Sequence, residues 1–118
     1  VANNTVRGKL VAMPWYTDAP LLFYRSDLLA KYGYDEPPAT WDTLEIMAKE
    51  ISAGEREAGN LGLWGYVWQG RAYEGLTCNA LEWQGSHGGG NFVGENGQAR
   101  LTNLETVAAF ERAAQGKS

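Results

Sequence analysis

An aromatic ring and a carboxylate stand two residues apart in the segment Tyr16-Thr17-Asp18. In an extended segment, residues i and i+2 project to the same side, so this ring and this carboxylate can act together. A flat amphipathic ring suits the apolar C–H face of a sugar, and a carboxylate accepts hydroxyl hydrogen bonds worth about 1.5–3 kcal/mol each. The alternative interpretation is a turn-forming Asp18 before Pro20, with Tyr16 packed in the core.

A second group of aromatic and polar residues lies between Gly65 and Leu76. Its sequence is Gly-Tyr-Val-Trp-Gln-Gly-Arg-Ala-Tyr-Glu-Gly-Leu, and Tyr73 stands at the edge of the predicted loop. Glu74 falls in the first turn of a predicted helix, where the helix dipole stabilises a carboxylate, so this residue has a structural explanation beside a ligand-binding one. Aromatic residues make up 12% of the chain, and most rings are expected in the core.

The order of features along the chain resembles one family. From Gly8 to Leu44, two apolar runs end in aromatic and acidic residues, and a short helix, a Pro-Pro stop and a second helix start follow. Residues 65–70 read Gly-aromatic-Val-Trp-Gln-Gly, and residues 73–75 read Tyr-Glu-Gly. These stretches resemble the carbohydrate-binding subunits of bacterial ABC importers, of the maltose- and trehalose-binding type, and the resemblance extends over nearly the whole chain.

The resemblance implies a set of sugar-binding residues. Importer receptors for disaccharides of this type have a Tyr-x-Asp as sugar ligands in the position that Tyr16 and Asp18 match. They also place an aromatic sugar contact where Tyr73 stands. The remaining candidates in the second group are Glu74, Trp68, Gln69 and Arg71. No catalytic residue, metal ion or cofactor is implied.

The resemblance also implies a receptor and not an enzyme. The expected ligand is a di- or oligosaccharide, a trehalose- or maltose-like α-glucoside, taken up through an ABC transporter whose membrane subunits are the protein partners. The expected location is periplasmic or extracellular, with membrane association through the transporter or through a lipid anchor absent from this chain. Such receptors have two lobes that close around the solute. Residues 1–118 match an internal portion, mainly of the second lobe, and such a partial lobe is expected to bind weakly and to self-associate.

Two other classes of function stay open on the residues alone. Asp18 with Glu74 or Glu82 could supply the two carboxylates of a glycoside hydrolase. Alternatively, exposed aromatic side chains could form a patch for a protein partner.

The composition argues against several kinds of partner. The net charge is -4, the pI is about 4.9 and the 10 basic residues are scattered, which argues against a nucleic-acid partner. The one cysteine, Cys78, cannot form an intramolecular disulfide, and His87 has no cysteine or second histidine to complete a zinc site. No apolar run approaches the roughly 20 residues that a membrane span needs.

Apolar segments bounded by proline, glycine and polar residues predict strands. The segments are 10–15, 21–24 and 61–68, and Asn96-Gly97 predicts a hairpin between 92–93 and 99–101.

Helical spacing of apolar residues predicts four helices, which cover residues 26–33, 40–54, about 73–84, and the chain from 102 onward. Thr40 is the expected cap of the second helix, with Trp41 as a packing anchor. Thr102 and Glu105 are expected to form a capping box at the last. Because strands alternate with helices, the sequence predicts an α/β fold with one sheet covered by helices. The resemblance implies that residues 1–118 form a single partial lobe, similar to a lobe of a periplasmic binding protein. Ligands are then expected at the loops that follow the strands.

Overall fold

The regular structure of the described residues consists of four α-helices and one short hairpin. The computed structural model describes residues 4–15 and 18–116. The strands are β1 (Thr5–Val6) and β2 (Lys9–Leu10), and the helices are α1 (Ser26–Lys31), α2 (Trp41–Glu57), α3 (Glu74–Ser86) and α4 (Leu104–Gln115). The presence and order of all four predicted helices are confirmed.

Helix α2 begins as predicted but ends later. The Thr40 hydroxyl accepts a hydrogen bond from the Thr43 amide at 3.2 Å, and the Thr40 amide donates to the Thr43 hydroxyl at 3.1 Å, which makes a reciprocal cap. The predicted end at Gly54 is wrong. A Cβ on Gly54 would lie 2.5 Å from the Tyr32 hydroxyl oxygen, so this glycine lets the Tyr32 ring pack against α2 and does not terminate the helix.

The predicted capping box of α4 is also wrong. Asn103 is the N-cap, and its side-chain oxygen accepts from the Thr106 amide at 2.8 Å. The Asn103 amide group also donates to the Gly89 carbonyl at 3.2 Å. An asparagine at this position therefore caps α4 and ties it to the Gly-rich loop with one side chain, which explains why Thr102 is not the cap.

Two tight turns organise the short hairpins. In β1–β2, Thr5 lies opposite Leu10 and Val6 opposite Lys9. The turn residues Arg7 and Gly8 both have positive φ, 50° and 75°, as two-residue hairpin turns require; this hairpin was not predicted. The predicted hairpin around Asn96-Gly97 is confirmed as a single bridge between Val93 and Ala99, with the Gly94 amide donating to the Gln98 carbonyl at 2.9 Å.

The three longer strand predictions are wrong within the described residues. Of segment 10–15 only Leu10 belongs to a strand, and segments 21–24 and 61–68 have irregular backbone without ladder partners. Apolar residues favour a strand, but a strand forms only where a neighbour supplies donors and acceptors along its edge. No described segment supplies that neighbour here.

The best-packed region joins α3 to α4. Trp83 and Ala109 are buried, and Gln84 and Thr106 are fully buried between the two helices. The Gln84 amide group donates to the carbonyls of Gly89 and Arg100 at 3.1 and 3.0 Å. These bonds fix the loop that connects the helices.

Trp41 links α2 to this region. Its ring lies edge-on to Tyr66 at 6.2 Å and to Trp83 at 6.3 Å, and its indole N–H donates to the Ser86 hydroxyl at 2.8 Å. The interpretation of Trp41 as a packing anchor is confirmed.

Helices α1 and α2 are joined around a buried carboxylate. Glu55 is buried, and its side chain accepts hydrogen bonds from Lys31 at 2.5 Å, Tyr32 at 3.1 Å and Asn60 at 3.3 Å. Lys31 and then Asn60 lower the pKa of Glu55, so the carboxylate stays charged and paired.

Candidate functional site

The loop that leads into α3 carries four of the predicted ligand-binding residues. It lines a surface cavity of about 620 Å³ bounded by Trp68, Gln69, Gly70, Arg71, Ala72 and Tyr73. Two short backbone bonds fold the loop, from the Gly70 amide to the Trp68 carbonyl at 3.1 Å and from the Tyr73 amide to the Arg71 carbonyl at 2.8 Å. The aromatic and polar groups of this segment are therefore presented together.

Gln69 is held through both its backbone and its side chain. Its backbone amide donates to the Asn79 side-chain oxygen at 2.8 Å, and the Tyr73 hydroxyl donates to the Gln69 side-chain oxygen. The Asn79 amide group in turn donates to Glu82 at 3.3 Å. Because these contacts fix the carbonyl end of the Gln69 side chain, its NH₂ group is the end left to donate to a ligand.

Gly75 allows the loop to lie against the start of α3. Gly75 is buried, and a Cβ there would stand 2.5 Å from the Tyr73 hydroxyl oxygen and still closer to Gln69 Oε1. Any side chain at position 75 would push Tyr73 and Gln69 out of their present positions. Sequence reasoning did not single out Gly75 or Asn79, although Gly75 belongs to the Tyr-Glu-Gly stretch.

Trp68 has a structural role at the edge of the site. Its ring is half-buried and lies edge-on to buried Trp83, with centroids 4.5 Å apart. Tyr73 and Arg71, in contrast, are exposed. The Tyr73 ring is therefore more accessible than the Trp68 ring for stacking on a ligand.

Glu74, the first residue of α3, binds a thiol. The Cys78 thiol donates to Glu74 Oε1 at 2.9 Å, and this hydrogen bond is the largest cause of a raised Cys78 pKa. Burial and the negative charges of Glu74, Glu82 and Asp18 raise that pKa further. Asp18, distant in sequence, thus contributes to the electrostatic environment of the Cys78 thiol.

Two of the predicted sugar-binding residues, Tyr16 and Asp18, do not belong to the loop that leads into α3. Asp18 is exposed, and Tyr16 lies outside the described residues, so the predicted pairing of the Tyr16 ring with the Asp18 carboxylate stays a prediction. Within the described part of the chain, no group of three or more His, Cys, Asp or Glu residues could hold a metal ion. None of the helices there is long and apolar enough to cross a bilayer.

Comparison with known proteins defines the class. The chain matches the family model described as bacterial extracellular solute-binding protein over residues 1–117. It is 56% identical over 111 residues to a probable ABC transporter-binding protein of Deinococcus radiodurans, which covers 94% of this chain and 26% of that protein. The sn-glycerol-3-phosphate-binding periplasmic protein UgpB of Escherichia coli K12 is 30% identical over 64 residues, 52% of this chain and 15% of that protein.

A solved structure matches as well. The structure titled maltose-bound T. maritima MalE3 aligns with a TM-score of 0.79 and 49% identity, over 98% of this chain and 28% of that chain. The chain belongs to the bacterial extracellular solute-binding protein family. It spans about a quarter of the length of the Deinococcus and MalE3 chains.

The comparisons decide two of the predictions. The α/β class is confirmed, since the chain has the fold of the corresponding part of a maltose-bound binding protein. The prediction that the chain is not an enzyme is confirmed as well, because the family and the relatives are solute-binding proteins of ABC transport. This removes the glycoside hydrolase alternative for Asp18, Glu74 and Glu82.

Proposed function

We propose that this chain is one partial lobe of a two-lobe receptor that delivers a carbohydrate, a maltose- or trehalose-like α-glucoside, to an ABC transporter. The observation that carries the proposal is the likeness to maltose-bound MalE3 over 98% of the chain. The arrangement of loop 68–73 supports it, since an exposed aromatic ring and a fixed side-chain amide are suited to a neutral polyol.

The residues of the proposed site divide among four tasks: stacking, donating hydrogen bonds, accepting them and supporting the loop. Tyr73 stacks on the apolar face of a sugar ring, and the Gln69 amide and the Arg71 guanidinium donate hydrogen bonds to hydroxyl oxygens. Asp18 and Glu74 accept hydrogen bonds from sugar hydroxyls. Tyr16 adds a second ring beside Asp18, and Trp68 supports the loop from behind through its contact with Trp83.

The proposed receptor works outside the cytoplasmic membrane. The family is described as extracellular and solute-binding, and the Deinococcus relative is named a probable ABC transporter-binding protein. We therefore place the whole receptor at the outer face of the membrane, associated with the transporter or with a lipid anchor.

A ligand panel separates this proposal from its nearest competitor. Calorimetric titration of the full-length receptor with maltose, trehalose and sn-glycerol 3-phosphate should give binding of at least one disaccharide. The third compound is included because UgpB carries it in its name. Binding of glycerol phosphate without either disaccharide would contradict the proposal.

Asp18→Ala tests the site within the same protein. Loss of one charged acceptor should cost about 2 kcal/mol, or roughly thirty-fold in affinity, because sugar hydroxyls lose their partner. Since Asp18 is exposed, the free energy of unfolding should hardly change. Glu105→Gln, an exposed carboxylate change at the start of α4, is the matched control and should leave affinity unchanged. An unchanged affinity for Asp18→Ala would remove Asp18 from the site.

A further inference from the structure

Glu82 of α3 is a half-buried carboxylate to which the proposed function assigns no task. Within the described part of the chain it takes part in no ion pair. Its side chain accepts a hydrogen bond from the Asn79 amide group at 3.3 Å. Gln69, Asn79 and Glu82 also line one cavity of about 590 Å³. Because the family consists of solute-binding proteins, this carboxylate needs an explanation other than catalysis.

Gly75, Asn79 and Glu82 form one stripe along α3. Their spacing of four and then three residues places them on the same face of the helix. At the start of the stripe, Gly75 leaves room for the side chains of Gln69 and Tyr73. One turn later, the Asn79 side-chain oxygen accepts a hydrogen bond from the Gln69 backbone amide at 2.8 Å. The stripe therefore holds the sugar-binding loop at two points and ends at Glu82.

The orientation of the Asn79 side-chain amide follows from the chemistry of its two neighbours. A backbone N–H group can only donate a hydrogen bond, and a carboxylate can only accept one. Asn79 satisfies both neighbours when its oxygen faces Gln69 and its NH₂ group faces Glu82, as observed. With the amide turned by half a rotation, two N–H groups would meet at one end and two oxygens at the other. Glu82 therefore determines which end of Asn79 faces the loop.

We propose that Glu82 is a positioning residue for the sugar-binding loop, acting through Asn79 on Gln69. We call these three residues the α3 relay. The relay holds the Gln69 backbone, while the Tyr73 hydroxyl holds its side-chain oxygen. Ligand binding then does not have to order the loop, and preorganised groups bind more tightly. The inference rests on the proposed function for the identity of the ligand, whereas the relay itself belongs to the ligand-free protein.

Hydrogen exchange of the ligand-free, full-length protein tests the relay at the Gln69 amide. Asn79→Asp keeps the shape and the acceptor but sets a second carboxylate against Glu82, and like charges repel. The new carboxylate should turn away, and the Gln69 amide should exchange about tenfold faster. Adding Glu82→Gln supplies an NH₂ donor in place of the second carboxylate and should return exchange to within about threefold of the original rate. A double variant that exchanges as fast as Asn79→Asp alone would overturn the proposal.

Glu105→Gln is the matched control for the second substitution. It makes the same change of carboxylate to amide at an exposed position on α4. Combined with Asn79→Asp, it should leave exchange at Gln69 fast, because the repulsion from Glu82 remains. Slow exchange restored by this control would trace the effect to net charge and not to the Glu82 side chain, which would overturn the proposal.

Titration of the same full-length variants with maltose and trehalose tests the effect on binding. Asn79→Asp should weaken binding about tenfold, and adding Glu82→Gln should restore it to within about threefold. A direct contact between Glu82 and the sugar would not be rescued in this way. Restored exchange at Gln69 without restored affinity would overturn the positioning role. If the original protein binds neither disaccharide, the proposed function fails, and the exchange of the Gln69 amide alone decides on the relay.

Discussion

At the scale of single residues, the proposed sugar loop is oriented by residues of α3 that stand behind it. Asn79 holds the Gln69 backbone, and Gly75 leaves room for the Tyr73 hydroxyl against Gln69. Neither type of residue suggests a ligand contact when read in sequence. Their importance arises from close approach, which only the folded chain displays.

The Cys78 thiol provides a chemical readout of the carboxylates around it. Its raised pKa means that less thiolate is present at pH 8, so alkylation by iodoacetamide should be slower than for an unperturbed thiol. Glu74→Gln should lower the pKa and speed alkylation several-fold, because the largest cause of the shift is removed. Asp18→Asn should give a smaller acceleration, and Glu105→Gln none. Equal rates for Glu74→Gln and the unchanged protein would contradict the Glu74–Cys78 contact.

At the scale of elements, the helix starts are specified by local side-chain bonds. Asn103→Ala should destabilise the protein by about 1 kcal/mol or more, since the cap of α4 and the bond to the Gly89 carbonyl are both lost. Thr102→Ala, one residue earlier, is the matched control and should change the free energy of unfolding by less than about 0.5 kcal/mol. Denaturant melts compare the two. The opposite order would restore Thr102 as the cap.

The packing of the Trp41 ring, which joins α2 to α3, can be tested in the same way. Trp41→Ala should cost about 3 kcal/mol, near the lower end for a tryptophan in a core, because the ring is half-buried and also loses its bond to Ser86. Trp64→Ala removes an equal side chain that is 68% exposed and should cost less than about 1 kcal/mol. The two variants are compared by denaturant melts of the 118-residue chain, in which the Trp64 side chain is exposed. A cost below about 1 kcal/mol for Trp41→Ala would show that the ring is not an anchor.

At the scale of the whole molecule, the 118-residue chain is expected to carry only part of the proposed sugar-binding site and therefore to bind sugar weakly. If the second lobe of the proposed receptor contributes about 4 kcal/mol to sugar binding, a micromolar affinity of the whole receptor becomes millimolar in this chain, where the sugar would stay partly solvated. The exposed apolar segments 21–24 and 63–67 should also drive self-association in the isolated chain. Chemical-shift mapping with maltose and trehalose, together with light scattering, measures both properties. Micromolar binding by a strictly monomeric chain would show that these residues hold a complete site.

Local signals in the sequence determined the helices and the direction of the functional argument. Apolar spacing and the Thr40 cap placed α2, and the motifs at 65–70 and 73–75 pointed to the solute-binding family that the comparisons show. Tertiary structure decided the rest. Gly54 looks like a helix end but makes space for Tyr32, and Asn103 rather than Thr102 caps α4 because it also bonds to a distant loop. Segments 21–24 and 61–68 form no ladder with any other described segment. The physical reason is range: a cap or an amphipathic stripe depends on residues a few positions away, whereas a strand or a close contact depends on a partner that the local sequence does not contain.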